Sequence, residues 1–521
     1  MISMKQLSHF SLFILLVVTQ NGLAQEIISS PQQAAGAVVE TPANADEEAN
    51  STVVYNAEFF AQYSPVTAKD MLDRIPGVSL RNGGGGGGGG GRGLGTGGNL
   101  LINGQRIAGK DNSASDQLER ITAAEVESIE IIRDTTGALN VRGASEVINV
   151  ILVAVESRSS TTVELINRLN HDGEFETGGS AAWSQQIGNF QALVNLQSRP
   201  NYENRDNREV RLGPDGELLG TLFETTIRDK DEQTFSTNLS YSLGPHRMQL
   251  NALVSEGDHP RPVRRDFVDF TGAGVVNSIQ EEQVKNEENN WEVGGDYEFN
   301  FDNGSRLAVL FVANNEIRNS VRERFQADPA EVGLSKNLFI DSRRKNGEFI
   351  VQTNYNFSLG EEQSLRVGFE RADTQLNSSL LIGSSFGTEP LSESVGGLSP
   401  LSSISNPGTK VQEIRYEGFA FHNWTLSDRS SLESSIVYET SEISQTGAVS
   451  KTRDFRFWRP SLDYRFNITD NFRFRATIER SVSQLSFSSF AATSNDEDRD
   501  LNALAGNPEL EPETSWRYEA G

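Results

Sequence analysis

From about residue 160 to the end, the chain alternates apolar and polar residues over runs longer than an ordinary globular strand. Phe349, Val351, Thr353, Tyr355 and Phe357 place one face in apolar surroundings, while Gln352, Asn354 and Asn356 form the other. Leu307, Val309 and Phe311 repeat the pattern across Asp302-Asn303-Gly304. Such tight turns recur at Ile187-Gly188-Asn189, Gly244-Pro245, Gly360-Glu361, Ser427-Asp428 and Thr469-Asp470. Between them lie long polar stretches, among them 200–228, 257–284 and 376–410. Short turns at one end and long loops at the other are the pattern of a transmembrane β-barrel. Aromatic residues flank several of the short turns: Tyr297, Phe299 and Phe301, then Tyr355 and Phe357, then Tyr464, Phe466, Phe472 and Phe474. They suit an interfacial girdle. A soluble sandwich or propeller is the competing architecture, but its strands average about 5–6 residues.

Bulk composition narrows the function. Only 36% of the residues are hydrophobic and the mean hydropathy is -0.44, so a bundle of membrane helices is excluded. The formal net charge of -26 argues against nucleic acid, whose phosphates require a basic face. There is no cysteine, and with it go disulfides, thiolate metal sites and a Cys nucleophile. Lys5, the apolar run from Phe10 to Val18 and the small residues Gly22-Leu23-Ala24 predict an export signal over residues 1–24. Residues 25–51 are rich in Ala, Pro, Gln and Glu and have no apolar face, which predicts a disordered tail.

Residues 52–156 read as a compact α/β domain. Thr52-Val53-Val54-Tyr55 suits a strand, and Thr67 is an N-cap for a helix through Met71, Leu72 and Ile75 that Pro76-Gly77 stops. Gly83 to Gly91 is an unbroken glycine run followed by Arg92. Gly93-x-Gly95-x-x-Gly98 matches the dinucleotide fingerprint formally, yet it opens the strand Asn99–Ile102 and an Asn103-Gly104 hairpin turn rather than a helix. The nucleotide reading therefore fails, and a mobile loop is expected instead, for which glycine permits any backbone angle. The histidines His9, His171, His246, His259 and His422 are scattered. No metal-ligand spacing, nucleophile elbow or metalloprotease helix appears, so neither an enzyme nor a cofactor or metal site is expected.

The segment from Val126 to Val153 resembles the end of the plug domain of TonB-dependent outer-membrane receptors. Val126, Glu127, Ile129, Glu130, Arg133, Gly137, Ala138, Gly143, Val147, Ile148 and Asn149 carry the match. The helix from Thr67 to Ile75 with Pro76-Gly77-Val78, and the stretch from Gly506 to Ser515, are similar to further features of that family. Asp134-Thr135-Thr136, where many members have Pro-Ser, is a departure. The resemblance implies an α+β plug (52–156) inside an antiparallel transmembrane β-barrel (160–521), in the outer membrane of a Gram-negative cell. It also implies energy-coupled import of a scarce bulky nutrient, a ferric siderophore being the commonest substrate, with oligosaccharide, haem and cobalamin as others. A passive porin or adhesin barrel is the reading from another class, and the plug motif argues against it.

The implied partners are the TonB energy-coupling protein, the nutrient ligand and outer-membrane lipid. Ala37-Val38-Val39-Glu40-Thr41, the only short β-prone island in the tail, suits the TonB box that pairs as an added strand with that protein. Gly83, Gly91, Arg92, Asn103, Gly104 and Arg106 are the candidates for a plug loop reaching the extracellular side and the ligand. About 14 strands are counted where the family implies the 22 of a plugged transporter barrel. The chain also ends without a terminal aromatic, at Tyr518-Glu519-Ala520-Gly521, so a C-terminal truncation is expected.

Overall fold

The N-terminal domain is built around two helix starts that the sequence encodes directly. Thr67 caps helix α2 (Ala68–Leu72): its hydroxyl accepts from the Asp70 amide at 3.2 Å, and the Asp70 carboxylate accepts from the Thr67 amide at 2.9 Å. This is a capping box, which satisfies amides left without intrahelical partners. Thr122 and Glu125 repeat it at the short helical turn Ala123–Glu125. The two caps lie side by side, joined by Ala68 N to Ile121 O and Ala123 N to Val66 O.

This computed structural model describes residues 52–76, 78, 99–104, 118–119, 121–132 and 147–153. From 157 to 521 it describes all but 272–273, 328–332, 403–405, 448, 470–471, 495–498, 500–502 and 505. A short helix α1 (Ala57–Phe60) precedes α2. Four strands, β1 (Thr52–Asn56), β2 (Leu100–Ile102), β3 (Val126–Ile132) and β4 (Val147–Leu152), form a sheet in the order β1-β3-β4-β2. Phe60, Met71, Leu72, Ile75, Ile129 and Ile148 are among the residues that fill its core. The expected strand Asn99–Ile102 is present as β2, but it pairs parallel with β4. The strand expected after the Asn103-Gly104 turn lies outside the described residues.

The rest is one antiparallel wall. Its strands are β5 (Ser157–Leu169), β6 (Phe175–Ile187), β7 (Phe190–Ser198), β8 (Asn201–Leu212), β9 (Leu218–Leu243) and β10 (His246–Asp258). Next come β11 (Arg261–Thr271), β12 (Gly274–Asn300), β13 (Arg306–Ala327), β14 (Leu334–Ser358), β15 (Gln363–Ser384) and β16 (Ser399–Pro400). β17 (Asn406–Ser427), β18 (Ser430–Gly447), β19 (Lys451–Thr469), β20 (Phe472–Val482) and β23 (Thr514–Ala520) complete it. The pair β21 (Thr493–Ser494) and β22 (Ala503–Leu504) stands apart in the loop before β23.

Two of these breaks are proline interruptions of single crossings. β7 and β8 both pair with β9 and are separated by Arg199-Pro200; β10 and β11 both pair with β9 and β12 and are separated by His259-Pro260. Proline has no amide to give the ladder. With each pair joined and the two-residue β16 set aside, seventeen strands become fourteen crossings, which agrees with the count of about 14 made from turn spacing.

The wall is inverted relative to a soluble protein. On β14 the polar Gln352 and Asn354 are buried on the inner face, while Phe349 is 44% exposed on the outer. Outward aromatics form two ranks. One lies beside the short turns, as expected, with Phe301, Phe466, Phe472 and Phe474. The second comprises Phe235, Trp291, Phe349, Phe369, Tyr416 and Trp458. Phe349 and Phe357 are eight positions apart on β14, about 27 Å along the tilted strand, on the scale of the roughly 25 Å apolar band of an outer-membrane barrel. Strands such as β9, with 26 residues, and β12, with 27, far exceed the roughly 9–11 that a crossing requires. Their excess projects beyond the second rank, at the long-loop end.

Candidate functional site: the plugged lumen and its mouth

Among the described residues, contacts at Arg158, Ser184 and Arg199 tie the N-terminal domain to the wall around β5–β7. Arg158 donates to the Ala124 carbonyl, Ser184 donates to Glu125, and Arg199 pairs with Glu119. Glu125 thus serves two purposes. One carboxylate oxygen closes the Thr122 cap at 2.8 Å and the other takes the wall serine. A capping residue recognisable from Thr-x-x-Glu spacing is therefore also a docking residue, which spacing alone does not reveal.

Between α2 and the inner wall lies a polar cavity of about 1030 Å³, lined by Lys69, Asp73 and Glu119 from the domain and by Glu164, Arg168 and Lys230 from the wall. Its size and charged lining suit a hydrated passage beside the plug.

Two of the predicted motif residues, Glu130 and Asn149, form a latch with the Asn103-Gly104 turn. Asn149 faces Glu130 across β3 and β4 and donates to its carboxylate at 2.7 Å. The Asn149 side-chain Oδ1 accepts from the Gly104 amide at 2.7 Å, and the Asn103 side-chain Oδ1 accepts from the Leu152 amide at 2.8 Å. Asn103 and Gly104 both have positive φ, 50° and 74°, which Asn and Gly tolerate best. Glu127 is exposed on the other face of β3. Arg133, Gly137 and Gly143 lie outside the described residues, as do Gly83, Gly91, Arg92, Arg106 and residues 37–41.

The expectation that Asn103 and Gly104 reach towards the extracellular side is corrected. Asn103 lines a cavity of about 120 Å³ with Gln186, Gln191, Arg247 and Gln249. Those residues flank the short turns at 187–190 and 243–246, the opposite end from the long loops. The Asn103 side-chain oxygen and backbone amide are both bonded to β4, so these two residues fix the sheet.

Inside the wall, three glutamates stand directly opposite one another on adjacent strands: Glu370, Glu417 and Glu439. All are at most 1% exposed. Arg415 bridges Glu370 at 2.8 Å and Glu417 at 3.1 Å, and Arg459 bridges Glu417 at 2.7 Å and Glu439 at 3.2 Å. The two arginines offset the mutual repulsion of three carboxylates set in one row.

At the long-loop end, Arg265 pairs with Glu224 at 2.6 Å, and Glu282 joins Arg265 at 3.3 Å to Arg322 at 2.9 Å. The segment between β20 and β23 folds onto this mouth. Phe490 packs on the inward row Leu376, Val411 and Ile443, while the Arg499 carbonyl accepts from Arg324 at 3.1 Å. Arg499 also pairs with Glu209 of β8 at 3.0 Å, so the segment reaches across the mouth. Among the described residues no group of three or more His, Asp or Glu is placed to hold a metal ion.

Asp172 of the β5–β6 turn and Tyr202 of β8 form a titratable pair outside the apolar band. Tyr202 donates to Asp172 at 2.6 Å, and Asn204 donates to the same oxygen at 2.8 Å. These bonds favour the carboxylate and hold the Asp172 pKa down at about 2, while the same bond pushes Tyr202 up to about 12. For Asp172, depressed in the folded state, the contribution is present above its ordinary 3.8 and is lost as pH falls through about 2. For Tyr202, raised in the folded state, it is present below 10 and lost as pH rises through about 12. Ultraviolet titration of the phenols should show one tyrosine ionising near pH 12 that Tyr202→Phe removes. An unchanged titration curve in that variant would contradict the pairing.

Two family models match the chain: "TonB dependent receptor-like, beta-barrel" over residues 225–521 and "TonB-dependent Receptor Plug Domain" over residues 44–147. No protein of curated function matches it significantly. Among solved structures, the alcaligin outer-membrane receptor of Bordetella pertussis is 13% identical, with 91% of this chain and 67% of that one covered and a TM-score of 0.35. The ferric yersiniabactin uptake receptor of Yersinia pestis is 9% identical, with 90% and 89% covered and a TM-score of 0.26. The RagAB peptide importer is 12% identical, with 93% and 66% covered and a TM-score of 0.42.

Proposed function

Because the chain belongs to the family of TonB-dependent receptors, we propose that it imports a scarce, bulky nutrient across the outer membrane, driven by TonB. Members of this family are transporters of Gram-negative outer membranes rather than enzymes. The observation that most supports import is the independent N-terminal sheet lodged against the lumen wall through Glu119, Glu125 and Ala124. A passive pore gains nothing from a separately folded domain there, whereas an energised transporter needs a part to move. Ferric siderophores are the substrate class put forward, as the commonest in the family; haem, cobalamin and oligosaccharide are the alternatives.

In this reading residues 1–24 direct export, residues 25–51 carry the TonB box, and Arg92 and the glycine run contact ligand from the mouth side. The test is uptake of a panel of radiolabelled ferric siderophores by cells with and without the gene, under iron limitation. Loss of uptake of at least one siderophore in the deletion strain is expected. Identical uptake of every siderophore, beside a deficit for haem, cobalamin or an oligosaccharide, would reassign the substrate.

A further inference from the structure

Lys345, Asn377, Lys410 and Thr446 stand directly opposite one another on β14, β15, β17 and β18, and Arg343 faces Ser379 in the neighbouring row. Together with Asn319 they line an open cleft of about 400 Å³. Lys345 and Lys410 are exposed and share their strands' outward face with Phe349 and Tyr416. The cleft therefore opens on the outside of the barrel. Lys345 lies four positions beyond Phe349 towards the long-loop end, and Lys410 six positions beyond Tyr416. That is roughly 14 and 20 Å along the tilted strands past the aromatic rank. Long lysine stems bend towards an interface and shorten the gap further. The cations thus sit at the height of the outer-leaflet headgroups.

Their pairing is also uneven. Asp341 takes one edge of Arg343 at 2.9 Å, and the Arg343 side chain remains 67% exposed. Neither Lys345 nor Lys410 has an ion-pair partner among the described residues. In a chain with net charge -26, the outward-facing Arg343, Lys345 and Lys410, flanked by Ser, Thr and Asn side chains that can donate, form a site complementary to phosphate. We propose that this cleft binds the phosphorylated headgroup of an outer-leaflet lipid and fixes the barrel's depth in the membrane. The proposal rests on the outer-membrane reading, in which the long-loop end of the wall meets the outer leaflet.

The full chain, extracted from outer membranes in detergent, is titrated with lipid A carrying two phosphates, with the monophosphorylated form, and with inorganic phosphate. The diphosphorylated lipid should bind most tightly. Arg343→Ser with Lys345→Ser and Lys410→Ser should weaken it roughly 100-fold if each cation contributes as basic residues do at anionic lipid surfaces. Lys410→Ser alone should weaken it about fivefold on the same basis, and keeps the test decisive if the triple variant fails to fold. Unchanged binding in a folded variant, or equal affinity for both lipid forms, would overturn the proposal. Displacement by inorganic phosphate at comparable concentration would assign the cleft to the free anion instead and overturn the lipid. Absence of the protein from the outer-membrane fraction would fail the localisation, a separate outcome from phosphate-indifferent binding by protein that is present there.

Discussion

Removing residues 37–41 is expected to abolish energy-coupled uptake while leaving ligand binding at the cell surface intact. The segment Ala37-Val38-Val39-Glu40-Thr41 is a β-prone island in an otherwise polar tail, and an added strand is the way an extended peptide gains affinity from backbone hydrogen bonds. On the proposed reading its partner is the energy-coupling protein, whereas ligand meets the mouth. The two functions should therefore separate. Labelled ligand bound at ice temperature reports the surface site, and accumulation at growth temperature reports transport. If binding and accumulation disappear together, the segment belongs to the fold or the ligand site and this placement is wrong.

The second large effect is expected in the barrel wall. Arg415→Ala leaves Glu370 and Glu417 buried beside each other without the guanidinium that bridges them. Breaking a buried pair by removing one partner costs about 3–5 kcal/mol, because the remaining charge is uncompensated. The measurement is the temperature at which the folded band is lost on a denaturing gel. It should fall markedly in Arg415→Ala, and adding Glu417→Gln should recover part of the loss. A variant that resists heat as well as the wild type would mean that water reaches these carboxylates and the row is solvated.

The elements legible in the sequence were those whose signals are local. Thr67 and Asp70 sit at the spacing of a capping box, and the box forms. The alternation from Phe349 to Phe357 identified an outward apolar face, and the prolines at 200 and 260 interrupt single crossings without adding to their number. Register was not legible. Glu370, Glu417 and Glu439 are far apart in the chain and meet only because each strand pairs residue for residue with the next. The second aromatic rank was missed for a related reason: it falls in mid-strand, where no turn marks its height. Asn103-Gly104 shows the boundary between the two kinds of information. Its dipeptide specifies a left-handed turn wherever it occurs, but which end of the barrel it faces depends on how β2 lies along β4.

The sheet order β1-β3-β4-β2 has a mechanical consequence. A tension applied to the chain ahead of Thr52 loads β1 before any other described strand. β1 is paired in the sheet with β3 alone, through five residue pairs, and most of it is exposed apart from Tyr55, which packs on Phe59 and Phe60. β3 and β4 each have neighbours on both sides, and β4 is also fastened to the 103–104 turn. The sheet therefore resembles a seam with a weak first stitch. A modest pull frees a short length of chain while the Glu130–Asn149 latch and the contacts to the wall still hold, and only a sustained one reaches them.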